Sequence, residues 1–207
     1  MNFLVIGSDK NSTFSVSKVN KVTNPFHTIA SLRKIKISKF EIIDNRAVNY
    51  LPVRIGEVFP NLESYDVQWC GIKSVSRENF ALLYKLRVVN LKKNWIERVD
   101  HDAFQELNDL EELYLSTNMI QDLPDEIFKS TIHLKRLSLR ENEISSISKS
   151  TFRNLVKLEF IDLNHNKLKE IMSDYFVDNK LIKELRLMGN EIKKIEANVA
   201  SQGQKLD

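Results

Sequence analysis

From Leu62 onward the chain repeats one apolar pattern every 24 residues. In its clearest stretch the pattern runs Leu110, Leu113, Leu115, Asn118, Ile120, Leu123 and Phe128, with polar residues between. The same positions recur as Leu134, Leu137, Leu139, Asn142, Ile144, Ile147 and Phe152, and again as Leu158, Ile161, Leu163, Asn166, Leu168, Ile171 and Phe176. The last round is Ile182, Leu185, Leu187, Asn190, Ile192 and Ile195. Upstream lie Leu86, Val89, Leu91, Asn94, Ile96, Val99 and Phe104, preceded by Leu62, Tyr65, Val67, Cys70, Ile72, Val75 and Phe80. A fixed period of this length predicts a solenoid, in which each unit buries its apolar face against the next.

The spacing within a unit predicts its shape. Apolar residues two apart, such as Leu113 and Leu115, have strand period and share a face, so Tyr114 between them points the other way. Stacked units then line up a parallel sheet with one polar face. Ile120 and Leu123 turn the chain back across the core, and Phe128 fills the far side. The Asn at 94, 118, 142, 166 and 190 stands where each strand ends. Its amide can both donate and accept, which suits a buried turn whose backbone groups need partners. Cys70 takes this position in the second unit and offers only a weak donor.

The ends are less regular. Leu32, Ile35, Ile37, Phe40 and Ile42 fit a first strand, with Phe40 at the position of Cys70. On that register the first unit is 30 residues long, from Ile35 to Tyr65, and Asp44–Glu57 is an extra loop on the convex side or edge. Phe26, Ile29 and Leu32 form a partial unit before it, and Phe14-Ser15-Val16-Ser17 alternates like a strand able to pair with the N-terminal edge. The expected organisation is an N-terminal edge over residues 1–31, seven units over 32–195, and a polar tail over 196–207.

These residues resemble the typical 24-residue class of leucine-rich repeat, and the resemblance covers about residues 26–195. It implies an α/β solenoid: a horseshoe with a concave parallel β-sheet and a convex side of turns and short helical or 3-10 segments. In animals this class builds the ectodomains of Toll-like receptors, adhesion and guidance proteins, and secreted insect immune proteins. The implied role is binding, usually of protein, through the concave or lateral face. Extracellular relatives usually close their ends with disulfide-bonded cysteine clusters. This sequence has one cysteine and shows no such cap, so a fragment, or an end covered by another subunit as a homo- or hetero-oligomer, is the expectation.

The period also says which side chains face outward. From these, Gln68, Trp69, Lys92, Tyr114, Arg136, Arg140, Phe160, Asn164 and His165 are the candidate concave binding residues. Aromatic groups and arginines of this kind dominate interface energetics. Equivalent residues of adjacent units stand about 4.8 Å apart, which puts Glu112 beside Arg136, Asp162 beside Arg186 and Glu141 beside His165.

Composition narrows the field. The net charge of +3 is too small to argue for nucleic acid or an anionic membrane as main partner. Residues 1–40 hold seven basic groups against Asp9 alone, so the remainder is net negative by three. No stretch reaches the roughly 20 apolar residues of a membrane span. Met1–Gly7 lacks the basic start and the length of a signal peptide. A catalytic reading finds little: Cys70 belongs to the turn, the four histidines are scattered, and no phosphate-cradling glycine loop appears. Asp162, His165 and Glu141 lack the spacing of a metal site. The expectation is therefore a non-enzymatic module with no cofactor or metal that binds a protein partner. It is taken as extracellular, with an intracellular scaffold as the alternative. Asn11, in Asn11-Ser12-Thr13, is the single glycosylation candidate.

Overall fold

A computed structural model describes residues 13–16, 37–196 and 205–206. Nine strands stack into one parallel sheet in chain order: β1 (Thr13–Val16), β2 (Lys39–Ile43), β3 (Ser64–Gln68), β5 (Val88–Asn90), β7 (Glu112–Tyr114), β8 (Arg136–Ser138), β9 (Phe160–Asp162), β11 (Glu184–Arg186) and β13 (Lys205–Leu206). Four two-residue strands pair on the return side, β4 (Ser74–Val75) with β6 (Arg98–Val99) and β10 (Glu170–Ile171) with β12 (Lys194–Ile195). Among the described residues, α-helix is confined to α1 (Ile55–Val58), and 3-10 turns cover Arg77–Asn79 and Ser173–Phe176. The result is the expected parallel-sheet horseshoe, with turns rather than helices on its convex side.

Register is held from β3 to β11 by the 24-residue step: Leu113 pairs with Leu137, Leu137 with Ile161, and Ile161 with Leu185. Each strand is entered the same way. The N–H groups of Lys135 and Arg136 both bond the Glu111 carbonyl, and those of Glu159 and Phe160 both bond the Lys135 carbonyl. The strand ends on a residue forced to positive φ. Asp44, Trp69, Lys93, Thr117, Glu141 and His165 all lie between 53° and 57°, and Gly189 closes the series at 73°. A left-handed residue lifts the chain out of the strand and aims the next residue, the ladder Asn, inward.

That Asn is the hub of each turn. Asn118 Nδ2 donates to the Leu91 carbonyl at 3.0 Å and the Leu115 carbonyl at 2.9 Å, while its Oδ1 accepts the Ile96 N–H at 3.0 Å. Asn94, Asn142, Asn166 and Asn190 repeat the arrangement, each tying its own turn to the preceding one. Behind them run stacked rings. Phe80, Phe104, Phe128, Phe152 and Phe176 follow at centroid separations of 6.0, 6.1, 6.2 and 5.4 Å. Tyr65 extends this spine, edge-on to Phe80 and tilted against Phe40. All of these except Phe176 are fully or almost fully buried.

The first unit departs from the sequence reading. Phe40 pairs with Tyr65 and Ile42 with Val67, so β2 lies five residues later than the expected strand. Counted from Phe40 the unit is 25 residues long, not 30, and Asn45 rather than Phe40 stands opposite Cys70. Buried Val48 and Leu51 show that Asp44–Glu57 is the unit's own return limb rather than an extra loop. The reason is competition between two apolar runs. Ile35-Lys36-Ile37 and Phe40-Glu41-Ile42 both have strand period, and the ladder asparagine lies in phase with only the second. Lys34, Lys36 and the partial unit at Phe26–Leu32 lie outside the described residues.

Both edges carry further strands. β1 pairs with β2 through Phe14↔Phe40 and Val16↔Ile42, as the alternation at Phe14–Ser17 suggested. At the other end Leu206 pairs with Leu185, so the segment expected to be a polar tail contributes a strand to the sheet. The last turn is thinly covered: Ile195 is exposed and Asn190 only half-buried.

Candidate functional site

The concave face is built from four outward positions per unit, and much of it is already engaged. Phe160 was expected to project into solvent; it is buried, at 9% exposure. The Arg136 guanidinium lies 4.4 Å from its ring centroid and that of Arg186 at 4.9 Å. Equivalent positions on flanking strands bring long arginines over a ring that a lone strand would leave bare. Arg186 also reaches Asp162 Oδ2 at 3.6 Å, the neighbour relation expected from the period. Arg136 itself stays exposed.

Asn164 is likewise buried rather than presented. Its Oδ1 accepts the Met188 N–H at 2.7 Å, and its own N–H bonds Asp162 Oδ1 at 3.0 Å. Ser116 and Ser138 hydroxyls sit 2.6 Å apart, closing the sheet surface between them. Asn164 therefore belongs to the strand ends and not to a contact surface.

The remaining candidates are reachable. Tyr114 donates its hydroxyl to Glu112, and the Lys92 ammonium stands 4.2 Å from its ring centroid. Burial and the Glu112 carboxylate push the Tyr114 phenol above its ordinary range. Gln68 donates to Asp66 Oδ1 at 2.7 Å, and burial raises the Asp66 carboxyl despite that bond. Arg140 bonds Glu141 Oε1 at 3.0 Å, while Thr117 donates to Oε2 at 2.9 Å. These bonds, Thr117 foremost and then Arg140, hold Glu141 below the usual carboxylate range, with His165 adding to the effect. Trp69 and His165 are both exposed, at the edge where the strands end.

So the nine candidates form two groups. Tyr114, Arg136 and Phe160 cluster at mid-sheet with Lys92 and Arg186. Gln68, Trp69, Arg140 and His165 lie along the strand-end margin, and Asn164 is withdrawn beneath it. Glu141, Asp162 and His165 do not converge; the first two are already occupied by hydrogen-bond donors. Among the described residues no group of three or more His, Cys, Asp or Glu is placed to hold a metal. Cys70 is buried, its Sγ 3.3 Å from the Gln68 carbonyl, and burial pushes its thiol up, away from the reactive thiolate. Asn11 lies outside the described residues.

The comparisons fit this geometry. The family model described as Leucine rich repeat matches residues 60–120 and 115–168. The chain belongs to the leucine-rich repeat family. Among solved structures it is similar to a TLR13–ssRNA13 complex, with 25% identity and a TM-score of 0.77 over 94% of this chain. It is also similar to the LRR protein LIC12759 of Leptospira interrogans, with 24% identity and a TM-score of 0.78 over 94% of this chain. The APL1 leucine-rich repeat domain aligns over 86% of the chain at 20% identity and a TM-score of 0.63. The last two likenesses concern the fold alone. This chain spans 27%, 47% and 41% of those three chains respectively. No curated protein sequence matches it.

Two features of this leucine-rich repeat escaped the sequence reading. The residue after the first apolar position alternates in sign along the array: Glu63, Arg87, Glu111, Lys135, Glu159, Lys183. Glu111 bonds both neighbours, Arg87 and Lys135, and Lys183 bonds Glu159. This flank neutralises itself and offers a ligand little. The signal was in the sequence, at one fixed position of the period. The second feature is a strip around Trp95 at the strand-end margin, which the turn geometry brings together.

Proposed function

We propose that this chain is a recognition module that binds a protein partner through its concave face, in an extracellular setting. The observation that carries the reading is the Phe160 ring held between Arg136 and Arg186 on the polar side of the sheet. The buried ring holds the two guanidiniums in place and Arg136 stays exposed, so a partner meets a charged donor that is already ordered and has little side-chain entropy left to lose. Tyr114, braced by Lys92 and Glu112, is a second anchor two strands away. Family membership supports binding over catalysis, and the likeness to TLR13 supports a receptor setting. The described residues contain no helix long and apolar enough to cross a membrane.

The TLR13 neighbour was solved with single-stranded RNA, so the test includes RNA alongside protein. Wild-type chain and the variants Arg136→Glu and Tyr114→Asp are compared for capture of secreted proteins and of an RNA oligonucleotide. Lys129→Glu, on the convex side, is the control. A protein bound by wild type and control, and about tenfold more weakly by either concave variant, supports the reading. Equal binding by all four chains, or selective capture of RNA alone, refutes it. Secretion with sugar at Asn11 supports the extracellular setting; protein found only in cytosol, with Asn11 unmodified, supports an intracellular scaffold instead.

A further inference from the structure

The margin where the strands end changes character halfway along the array. At the left-handed position the units carry Asp44, Trp69, Lys93, Thr117, Glu141, His165 and Gly189. At the position just after the ladder residue they carry Arg46, Gly71, Trp95, Met119, Glu143, Lys167 and Glu191. The later units are polar and internally paired: Lys167 bonds Glu143 at 3.0 Å, and Glu141 is held by Thr117 and Arg140. The earlier units are not. Trp69, Trp95 and Met119 are 41%, 46% and 40% exposed.

Three cations accompany them. Lys93 Nζ lies 4.1 Å from the Trp69 ring centroid, and Lys92 covers Tyr114 from the adjacent position. Arg46 stands 5.6 Å from the Trp95 ring. Among the described residues none of the three has a carboxylate within ion-pair distance. Of the nearby anions, Asp66 accepts from Gln68 and Glu112 from Tyr114, which leaves exposed Asp44 as a single carboxylate against the three cations. A ring face attracts a cation but does not neutralise it, so each retains its affinity for a carboxylate.

We infer that this strip, Arg46, Trp69, Lys92, Lys93, Trp95 and Met119, docks an acidic segment of the protein partner, its carboxylates meeting the three cations and its apolar side chains covering the indoles and Met119. The inference rests on the protein-binding reading and adds a second contact beside the concave centre. Charge complementarity selects the occupant. Among the described residues the strip presents three cations without ion pairs, while Glu141, Glu143 and Lys167 farther along the margin are already paired. Trp, Tyr and Arg are the residues that most often dominate binding energy, and Met is common at interfaces.

Trp69 and Trp95 are the two tryptophans of the chain, so its tryptophan emission reports on this strip alone. The experiment titrates the full chain with poly-L-glutamate and, separately, with poly-uridine RNA, following emission and acrylamide quenching at low and high salt. The test variant is Arg46→Gln and Lys93→Asn combined, which leaves Lys92 beside Tyr114 unchanged; Asn suits the left-handed backbone at 93, and circular dichroism checks the fold. Arg136→Glu is the concave comparison. The expected result is saturable protection of the indoles by poly-L-glutamate, weakened roughly tenfold or more in the double variant and by added salt. Unchanged binding by the double variant, no protection at all, or saturable protection by poly-uridine but not poly-L-glutamate overturns the inference. If Arg136→Glu abolishes binding and the double variant does not, the strip fails while the concave reading stands. If the double variant loses poly-L-glutamate and Arg136→Glu keeps it, the strip stands, and the concave reading is judged by protein capture with Arg136→Glu and Tyr114→Asp.

Discussion

Gly189 lies against His165 so closely that a Cβ on Gly189 would sit 2.4 Å from His165 Nδ1. The two occupy the same left-handed position in successive units, at φ of 73° and 54°. Six earlier units place ordinary side chains in that conformation; only the last uses glycine. Gly189→Ala is expected to destabilise the chain by about 1 kcal/mol through left-handed strain, and to displace the imidazole. Urea denaturation checks the first effect and the His165 ring resonances the second. A variant as stable as wild type, with unshifted resonances, would show that the contact has no energetic weight.

The ladder predicts a gradient of cost along the array. Asn142→Ala removes donors to Leu115 and Leu139 and the acceptor for Ile120, all buried. A loss of about 3 kcal/mol is expected, since each orphaned group costs roughly 1–3 kcal/mol before relaxation. Asn190→Ala, in the half-buried last turn, should cost clearly less because water can replace the side chain. Equal losses at the two sites would contradict this account of the ladder.

Tyr65 offers the opposite test. Its ring belongs to the aromatic spine, but its buried hydroxyl has no hydrogen-bond partner among the described residues. Burial pushes the phenol well above its usual range, so it stays neutral. Tyr65→Phe keeps the ring and removes an unsatisfied polar atom. It should be neutral or stabilise by about 1 kcal/mol, measured as the denaturant midpoint at unchanged slope. A marked loss would mean that the hydroxyl finds a partner in solution.

The alternating flank gives a pH dependence. Lys135 and Arg87 hold the Glu111 carboxyl below the ordinary carboxylate range. A carboxyl depressed in the folded state stabilises fully above its unfolded value, near pH 4, and that contribution is lost as pH falls through the folded value. Glu111→Gln should therefore flatten part of the fall in Tm between about pH 5 and pH 2, with little change near pH 7 beyond the loss of the ion pairs. The difference from wild type should shrink in high salt. An identical acid profile in the variant would remove Glu111 from the linkage.

Much of this was readable from the chain because one rule repeats. A residue's phase in the 24-residue period assigned Leu113, Phe128 and Asn118 their places, and made Tyr114 and Arg136 outward. Phase did not say how far outward. Phe160 and Asn164 share outward positions with exposed residues, yet both are buried by neighbours one strand away. Their burial depends on Arg136 and Arg186 for Phe160 and on Met188 for Asn164, which are 24 to 26 positions distant and interact only after stacking. The first unit misled for a related reason, since two overlapping strand-like runs compete and only pairing with β3 chooses between them.

The sequence by itself determined the solenoid, its parallel sheet, its asparagine ladder and its phenylalanine spine, because each depends on periodicity that local chemistry repeats unit after unit. The tertiary structure decided the register of the first unit, the strand at Lys205–Leu206, and which outward side chains remain available. Those depend on contacts between units, where the length of a neighbouring arginine sets what a partner can touch.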